Sequence, residues 1–331
     1  MSDAPLLELK GLSTHYVSAR GTRVVRAVDE VSLTLAPGST LGIVGESGSG
    51  KSTLALTILR LLPPAAKIVA GEILFEGEDL LAKSDVEMRR VRGKRIAMIL
   101  QDPMASLNPL FTIGDQVSEP LRVHEGVGRR SAWSRATDLL KSVRIPAPEA
   151  RVREYPHQMS GGMRQRIVGA MGIACEPRLL IADEPTTSLD LTIQAQYLAL
   201  LRDLQRASGV ALVFVTHNLG IVAKMCDKVA VMYAGKIVEM QSVRGLFYRS
   251  RHPYTRALLD SIPKLGVKEP LYGIPGQPPD LAALPAGCSF HPRCRHVMDR
   301  CRIEEPWQHN LNGDGNVRCW LPIEEEAAGR G

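Results

Sequence analysis

Apolar and polar positions alternate in short runs over the first forty-odd residues and then give way to longer apolar stretches. Alternation over Leu7–Leu12, Val24–Val28 and Val31–Leu35, a Pro37-Gly38 turn and the run Thr40–Val44 predict short strands leading into a larger sheet. From Gly45 the rhythm becomes strand then helix. Leu179–Ala182, Ala211–Thr216 and Val229–Tyr233 read as buried strands separated by helical periodicity. Such alternation predicts a parallel α/β sheet. Between Asp102 and Cys175 the pattern is mostly helical, with segments at Ile113–His124 and Ala132–Val143 bounded by Pro109, Pro146 and Pro148, which predicts an inserted helical subdomain. After Ser250 proline density rises through Pro253, Pro263, Pro270, Pro275, Pro278, Pro279 and Pro285, as in a linker or a loop-rich module. No internal repeat, heptad or low-complexity tract interrupts this order.

Composition narrows the class. The 331 residues exceed one comfortable core, so a large domain with an appendage, or two domains, is expected. Hydrophobic residues at 44% and charged residues at 23% are ordinary globular usage, which argues against disorder. A net charge of +6 without runs of like charge does not imply nucleic acid, and suits phosphate ligands or an anionic surface equally well. The N-terminal MSDAPLLELK lacks the form of a secretory signal, so a cytosolic start is expected. The apolar window Leu54–Ala70 is broken by Arg60, Pro63, Pro64 and Lys67, short of the roughly 18 residues of a spanning helix, so membrane contact would go through partners.

Gly45-Glu46-Ser47-Gly48-Ser49-Gly50-Lys51-Ser52 fits the G-x-x-x-x-G-K-[ST] loop, placed after a predicted strand and opening a predicted helix. The glycines let backbone N–H groups turn toward phosphates and the helix N-terminus adds partial positive charge. Lys51 would reach the β- and γ-phosphates, and Ser52 would offer its hydroxyl to Mg²⁺. Downstream, the apolar run Leu179–Ala182 ends in Asp183 and Glu184, at the sheet edge where ligands bind. A hard cation takes one or two carboxylates, which suits Asp183 beside Ser52. Glu184 is then placed to polarise an attacking water. His217 closes the next strand, where it could hold the γ-phosphate and water.

Together with further motifs, these elements resemble those of the ABC ATPases over nearly the whole length of the chain. Met159-Ser160-Gly161-Gly162-Met163 is similar to their signature motif, with methionine where leucine and glutamine usually stand. Gln101 resembles their glutamine switch, Ser188-Leu189-Asp190 their D-loop and His217 their switch histidine. The resemblance implies an α/β P-loop ATPase core with an antiparallel β subdomain and the helical insert (about 102–175), together spanning 1–250. It implies nucleotide contacts from Tyr16, Gly45, Ser47, Gly48, Ser49, Gly50, Lys51, Ser52 and Thr53, with Mg²⁺ held by Ser52, Gln101 and Asp183, and Glu184 and His217 as the catalytic pair. Ser160, Gly161 and Gly162 would serve the ATP of a second subunit, and Asp190 is a further nucleotide-binding residue. Tyr16 is open between stacking on adenine and filling the core.

A longer similarity, carried by Gln101–Pro109, Tyr155–Gln165 and Arg251–Leu258, is to the ATPase subunits of dipeptide, oligopeptide and nickel importers. It implies ATP-driven import, most readily of peptides, with nickel or another small solute as the alternative. It also implies a second ATPase subunit, related or identical, two membrane permeases and an extracytoplasmic binding protein, at the cytoplasmic face of the inner membrane. A non-transport ABC ATPase acting on nucleic acid or ribosomes is the reading from another class, and the long coiled coil or tandem ATPase domains usual there are missing. Residues 251–331 are expected to form an importer-type extension holding Cys288, Cys294, Cys301 and Cys319. Four thiolates can enclose zinc or an iron-sulfur cluster, and zinc sites usually contain tight C-x₂₋₄-C knuckles that this spacing lacks. The resemblance implies a 4Fe-4S cluster, with zinc as the alternative and His291, His296 and His309 as possible replacement ligands.

Overall fold

The computed structural model describes residues 4–187, 189–263, 273–311 and 315–322. Its strands, in chain order, are β1 (Leu7–Val17), β2 (Val24–Leu35), β3 (Thr40–Val44), β4 (Ala66–Phe75), β5 (Glu78–Asp79), β6 (Ile96–Ile99), β7 (Leu179–Asp183), β8 (Ala211–Thr216), β9 (Lys228–Tyr233), β10 (Lys236–Ser242), β11 (Gln308–Leu311) and β12 (Gly315–Arg318). They form two sheets among the described residues. One is antiparallel in the order β2-β1-β4-β5; the other runs β11-β12-β10-β9-β3-β8-β7-β6 and is parallel from β9 to β6.

Side-chain alternation explains why the parallel strands read as unbroken apolar runs. Leu41, Ile43, Leu179, Ile181, Val213 and Val215 face a core shared with the antiparallel sheet and with Leu54, Ala55 and Ile58 of α1 (Lys51–Ile58). Leu180, Ala182, Leu212 and Phe214 face the opposite way, onto a second core. Both faces are covered, so β3, β7 and β8 are buried at every position.

Helices α2 (Asp85–Val91), α3 (Pro103–Ser106), α4 (Ile113–Glu125), α5 (Arg129–Ser142), α6 (Pro148–Arg151) and α7 (Gly161–Ile173) follow in order. Those from α3 to α7 form the expected helical insert, and its apolar face closes the second core together with α8 (Leu191–Ser208). Val24–Val28 and Val31–Leu35 prove to be one strand: Glu30 turns into the left-handed region at φ 50, and the pairing with β1 shifts register there instead of ending. The sequence reading did not anticipate β4, whose central residues are mostly exposed and so lack an apolar period.

Past α9 (Leu219–Met225), α10 (Val243–Arg249) and α11 (Pro253–Asp260), the described part of the extension packs onto the ATPase core instead of standing apart from it. Phe290 is buried against Tyr233 and Tyr254, and Ile274, Leu281, Leu284, Cys288 and Cys294 pack onto the same apolar cluster as Val44, Val229 and Val231. After the short α12 (Asp299–Ile303), β12 pairs with β10 and prolongs the main sheet. The extension is short of apolar residues and borrows a core already present. Among the described residues no helix is long and apolar enough to cross a membrane.

Candidate nucleotide site

Strand β3 delivers the chain at Val44 and α1 takes it up at Lys51, so residues 45–50 form the turn between them. Gly50 sits at φ 102, and a Cβ there would lie 1.9 Å from the Ala27 carbonyl oxygen, so no other residue fits. Lys51 is buried and its Nζ donates to the carbonyls of Gly45 and Glu46 at 2.8 Å each. Burial pulls the ammonium's pKa down, against the raising influence of Glu184, Asp183 and Glu46.

The carboxylates arrive at the C-terminal end of β7. Ser52 Oγ donates to Asp183 Oδ1 at 3.1 Å. Burial pushes the Asp183 carboxyl up, Glu184 adds to the rise, and Ser52 and Lys51 oppose it. Glu184 lies in the left-handed region at φ 44, an uncommon conformation for a non-glycine residue and one that clusters at functional sites. His217 Nδ1 is 3.0 Å from Glu184 Oε1, Thr187 Oγ1 donates to Oε2 at 2.8 Å, and Gln101 Nε2 approaches the same oxygen at 3.4 Å. Burial alone would raise the Glu184 carboxyl, but the bonds from His217 and Thr187 and the charge of Lys51 outweigh it and hold the carboxyl low.

These groups open on one cavity of about 720 Å³. Its wall holds Ser47, Gly48, Gly50, Lys51, Ser52 and Thr53 of the turn and helix, then Gln101, Glu184 and His217. Tyr16, Val25, Ala27 and Leu281 add an apolar part. The Tyr16 hydroxyl is 3.3 Å from Thr53 Oγ1, so its ring stands at the cavity and not in the core. Cationic, hydroxyl and carboxylate groups on one side and apolar groups on another suit a ligand with a charged tail and a flat apolar head.

Ser160, Gly161, Gly162 and Asp190 do not line this cavity. Ser160 caps α7 by accepting from Met163 N at 3.3 Å, and Ser160 and Gly161 are exposed. Asp190 caps α8 through Thr192 N and Ile193 N, both at 3.0 Å. A Cβ on Gly162 would meet Ile193 Cγ2 at 2.7 Å, so the starts of α7 and α8 touch. Ser188 lies outside the described residues.

The extension braces the turn, which sequence reasoning missed. The buried Arg293 forks onto Glu46, Nη1 to Oε2 at 2.7 Å and Nη2 to Oε1 at 3.0 Å, while its Nε donates to Pro275 O. Glu46 N donates to the Tyr254 hydroxyl at 2.9 Å. One residue on, Cys294 belongs to a group of four free thiols with Cys288, Cys301 and Cys319. Burial, and then the charges of the other three, push Cys288 up to about 12; burial likewise takes Cys319 up to about 11 and raises Cys294. Leu321 N donates to Cys319 Sγ at 3.5 Å, and the backbone at Phe290 and His296 works against the rise at Cys288 and Cys294. Among the described residues, however, no three His, Cys, Asp or Glu side chains are placed to hold a metal ion, so the geometry supports neither the expected 4Fe-4S cluster nor the zinc alternative. His291 Nδ1 is instead engaged with Cys288 O, and His309 Nδ1 with the Trp307 indole.

The ABC transporter family matches residues 28–187, and the family described as oligopeptide/dipeptide transporter, C-terminal region, matches 238–301. A probable peptide ABC transporter ATP-binding protein of Sinorhizobium fredii is 50% identical, covering 95% of this chain and 94% of its own length. An oligopeptide transport ATP-binding protein of Haemophilus influenzae is 45% identical, over 97% and 98%. A dipeptide transport ATP-binding protein of Bacillus subtilis is 48% identical, over 96% and 94%. Among solved structures, a dimeric ATP-binding cassette in a post-hydrolysis state with ADP and Pi aligns at a TM-score of 0.64 and 27% identity, covering 72% of this chain and 99% of that one.

Proposed function

The chain belongs to the ABC transporter ATP-binding proteins, in the branch that carries the oligopeptide/dipeptide transporter C-terminal region, and we propose that it hydrolyses ATP as one half of a paired motor driving peptide import. The observation that carries this reading is the single cavity in which Lys51 and Ser52 meet Glu184, Gln101 and His217.

In this reading the turn from Gly45 to Gly50 presents backbone N–H groups to the β- and γ-phosphates, and Lys51 exchanges its carbonyl contacts for phosphate oxygens. The residues fit Mg²⁺: Asp183 is a buried carboxylate already in contact with the Ser52 hydroxyl, and Gln101 reaches the same end of the cavity. When bound, the ion neutralises charge on the β- and γ-phosphates. Glu184 stays ionised and accepts a hydrogen bond from the attacking water. His217, fixed at 3.0 Å from Glu184, steadies that carboxylate and faces the γ-phosphate. Ser160, Gly161 and Gly162 act on the nucleotide held by the second ATPase subunit, and Asp190 sets the start of α8 beside them. Leu100, Met104, Leu110 and Phe111 are exposed apolar side chains following β6, on the stretch that carries Gln101, and fit the surface of a membrane permease. The protein then sits at the cytoplasmic face of the membrane through two permeases served by a binding protein. Glu184→Gln tests the reading. ATP should still bind and the closed pair accumulate while turnover falls about 10²–10⁴-fold; hydrolysis near the wild-type rate removes Glu184 from the role.

Four free thiols in one stretch of the extension are what an iron-sulfur reading rests on. Cys288, Cys294 and Cys319 lie within electrostatic reach of Cys301, and burial raises all three, so ligation would have to displace their protons. Cys288, Cys294, Cys301 and Cys319 would hold a 4Fe-4S cluster, which supplies a crosslink and an electron-accepting centre. Anaerobically purified protein should carry iron and acid-labile sulfide together with broad visible absorbance. Zinc without iron would contradict this.

A further inference from the structure

We infer that Leu281, carried by the C-terminal extension, is a base-contacting residue of the nucleotide site, so that the extension forms part of the ligand's own wall. The inference rests on the ATP reading above and adds a residue to it. The polar wall of the cavity comes from the turn before α1 and from the ends of β6, β7 and β8. The apolar wall comes from elsewhere: Tyr16 on β1, Val25 and Ala27 on β2, and Leu281. Tyr16 and Val25 are direct cross-strand partners, which places them side by side.

Leu281 is held there by three separate contacts. Arg26 N donates to Leu281 O at 3.1 Å, docking the segment on β2, the edge strand of its sheet. Asp280 pairs with Arg23 at 2.8 Å, one residue before the docked carbonyl. The Asp280 carboxylate also accepts from Ala282 N at 2.9 Å, closing a turn around Leu281 itself. A side chain fixed from both flanks and half-buried presents a stationary apolar surface. A triphosphate offers nothing for such a surface to bind, whereas a heteroaromatic base offers two apolar faces. Since Leu281 also packs into the cluster containing Phe290, Cys288 and Cys294, the base and the cysteine segment share one continuous apolar support.

The test compares a ligand with a base and one without. Affinities of the full-length protein for Mg-ATP and for Mg-tripolyphosphate are measured by titration calorimetry for the wild type, Leu281→Ser, Leu281→Ala and Leu281→Met. Leu281→Ser should weaken ATP about fivefold to tenfold and leave tripolyphosphate within about twofold, as expected for loss of apolar contact to one face of a base. Leu281→Ala should show the same pattern at smaller amplitude, and Leu281→Met should bind both ligands as the wild type does. Unchanged ATP affinity in the Ser and Ala variants overturns the inference. So does a parallel loss for both ligands, which would make Leu281 a prop for the phosphate turn. A wild type that binds tripolyphosphate and ATP equally well also overturns it, while one that binds neither removes the nucleotide reading beneath it.

Discussion

The starts of α1 and α7 each have glycine at or beside the cap and no acidic residue in the first turn, so the positive end of each dipole is left for something else to use. Their surroundings differ. At the start of α1, Lys51 is buried and Gly50 is demanded by the chain itself through the Ala27 carbonyl. The start of α7 is open, its Ser160 and Gly161 exposed, and nothing lies within 4 Å of where a Gly161 side chain would begin. A glycine that the chain needs marks a site the chain completes alone. One that nothing in the chain requires points to a site completed by another molecule, which agrees with a half-motor.

Replacing the glycines by alanine can break this contrast. Gly50→Ala combines a clash with backbone and a left-handed φ, and should cost on the order of 3 kcal/mol and abolish ATP binding. Gly162→Ala needs only Ile193 to shift, at about 1 kcal/mol. Gly161→Ala meets open space and favours the helix, so its stability should change by less than about 1 kcal/mol, and upward. Yet Gly161→Ala should slow turnover in the assembled transporter. Melting curves with ATP titrations on the three variants decide it, and a large destabilisation by Gly161→Ala would sink the contrast.

The phosphate side of the site was legible because its parts are contiguous or end strands with plain signatures. Residues 45–53 are one segment, β3 and β8 have the bounds expected from their apolar runs, and Asp183, Glu184 and His217 follow directly from strand ends. The apolar side was not legible. Leu281 and Arg293 reach β2 and Glu46 across more than two hundred residues, and Thr187 reaches Glu184 only because of the turn after β7. Such contacts follow from which loops the fold brings together, and no period or spacing records them. For the same reason the proline-rich tail reads as a linker or a loop-rich module, because the core it uses belongs to β3 and β9.

The claim that α7 serves a nucleotide other than the chain's own is tested most directly with Ser160→Arg. The isolated subunit should bind Mg-ATP within about twofold of the wild type, since Ser160 does not line the cavity, while turnover in the assembled transporter should fall about 10²-fold or more, the cost of losing a preorganised donor at developing charge. A matching loss of ATP affinity in the isolated subunit, or unaltered turnover in the assembly, would contradict the account.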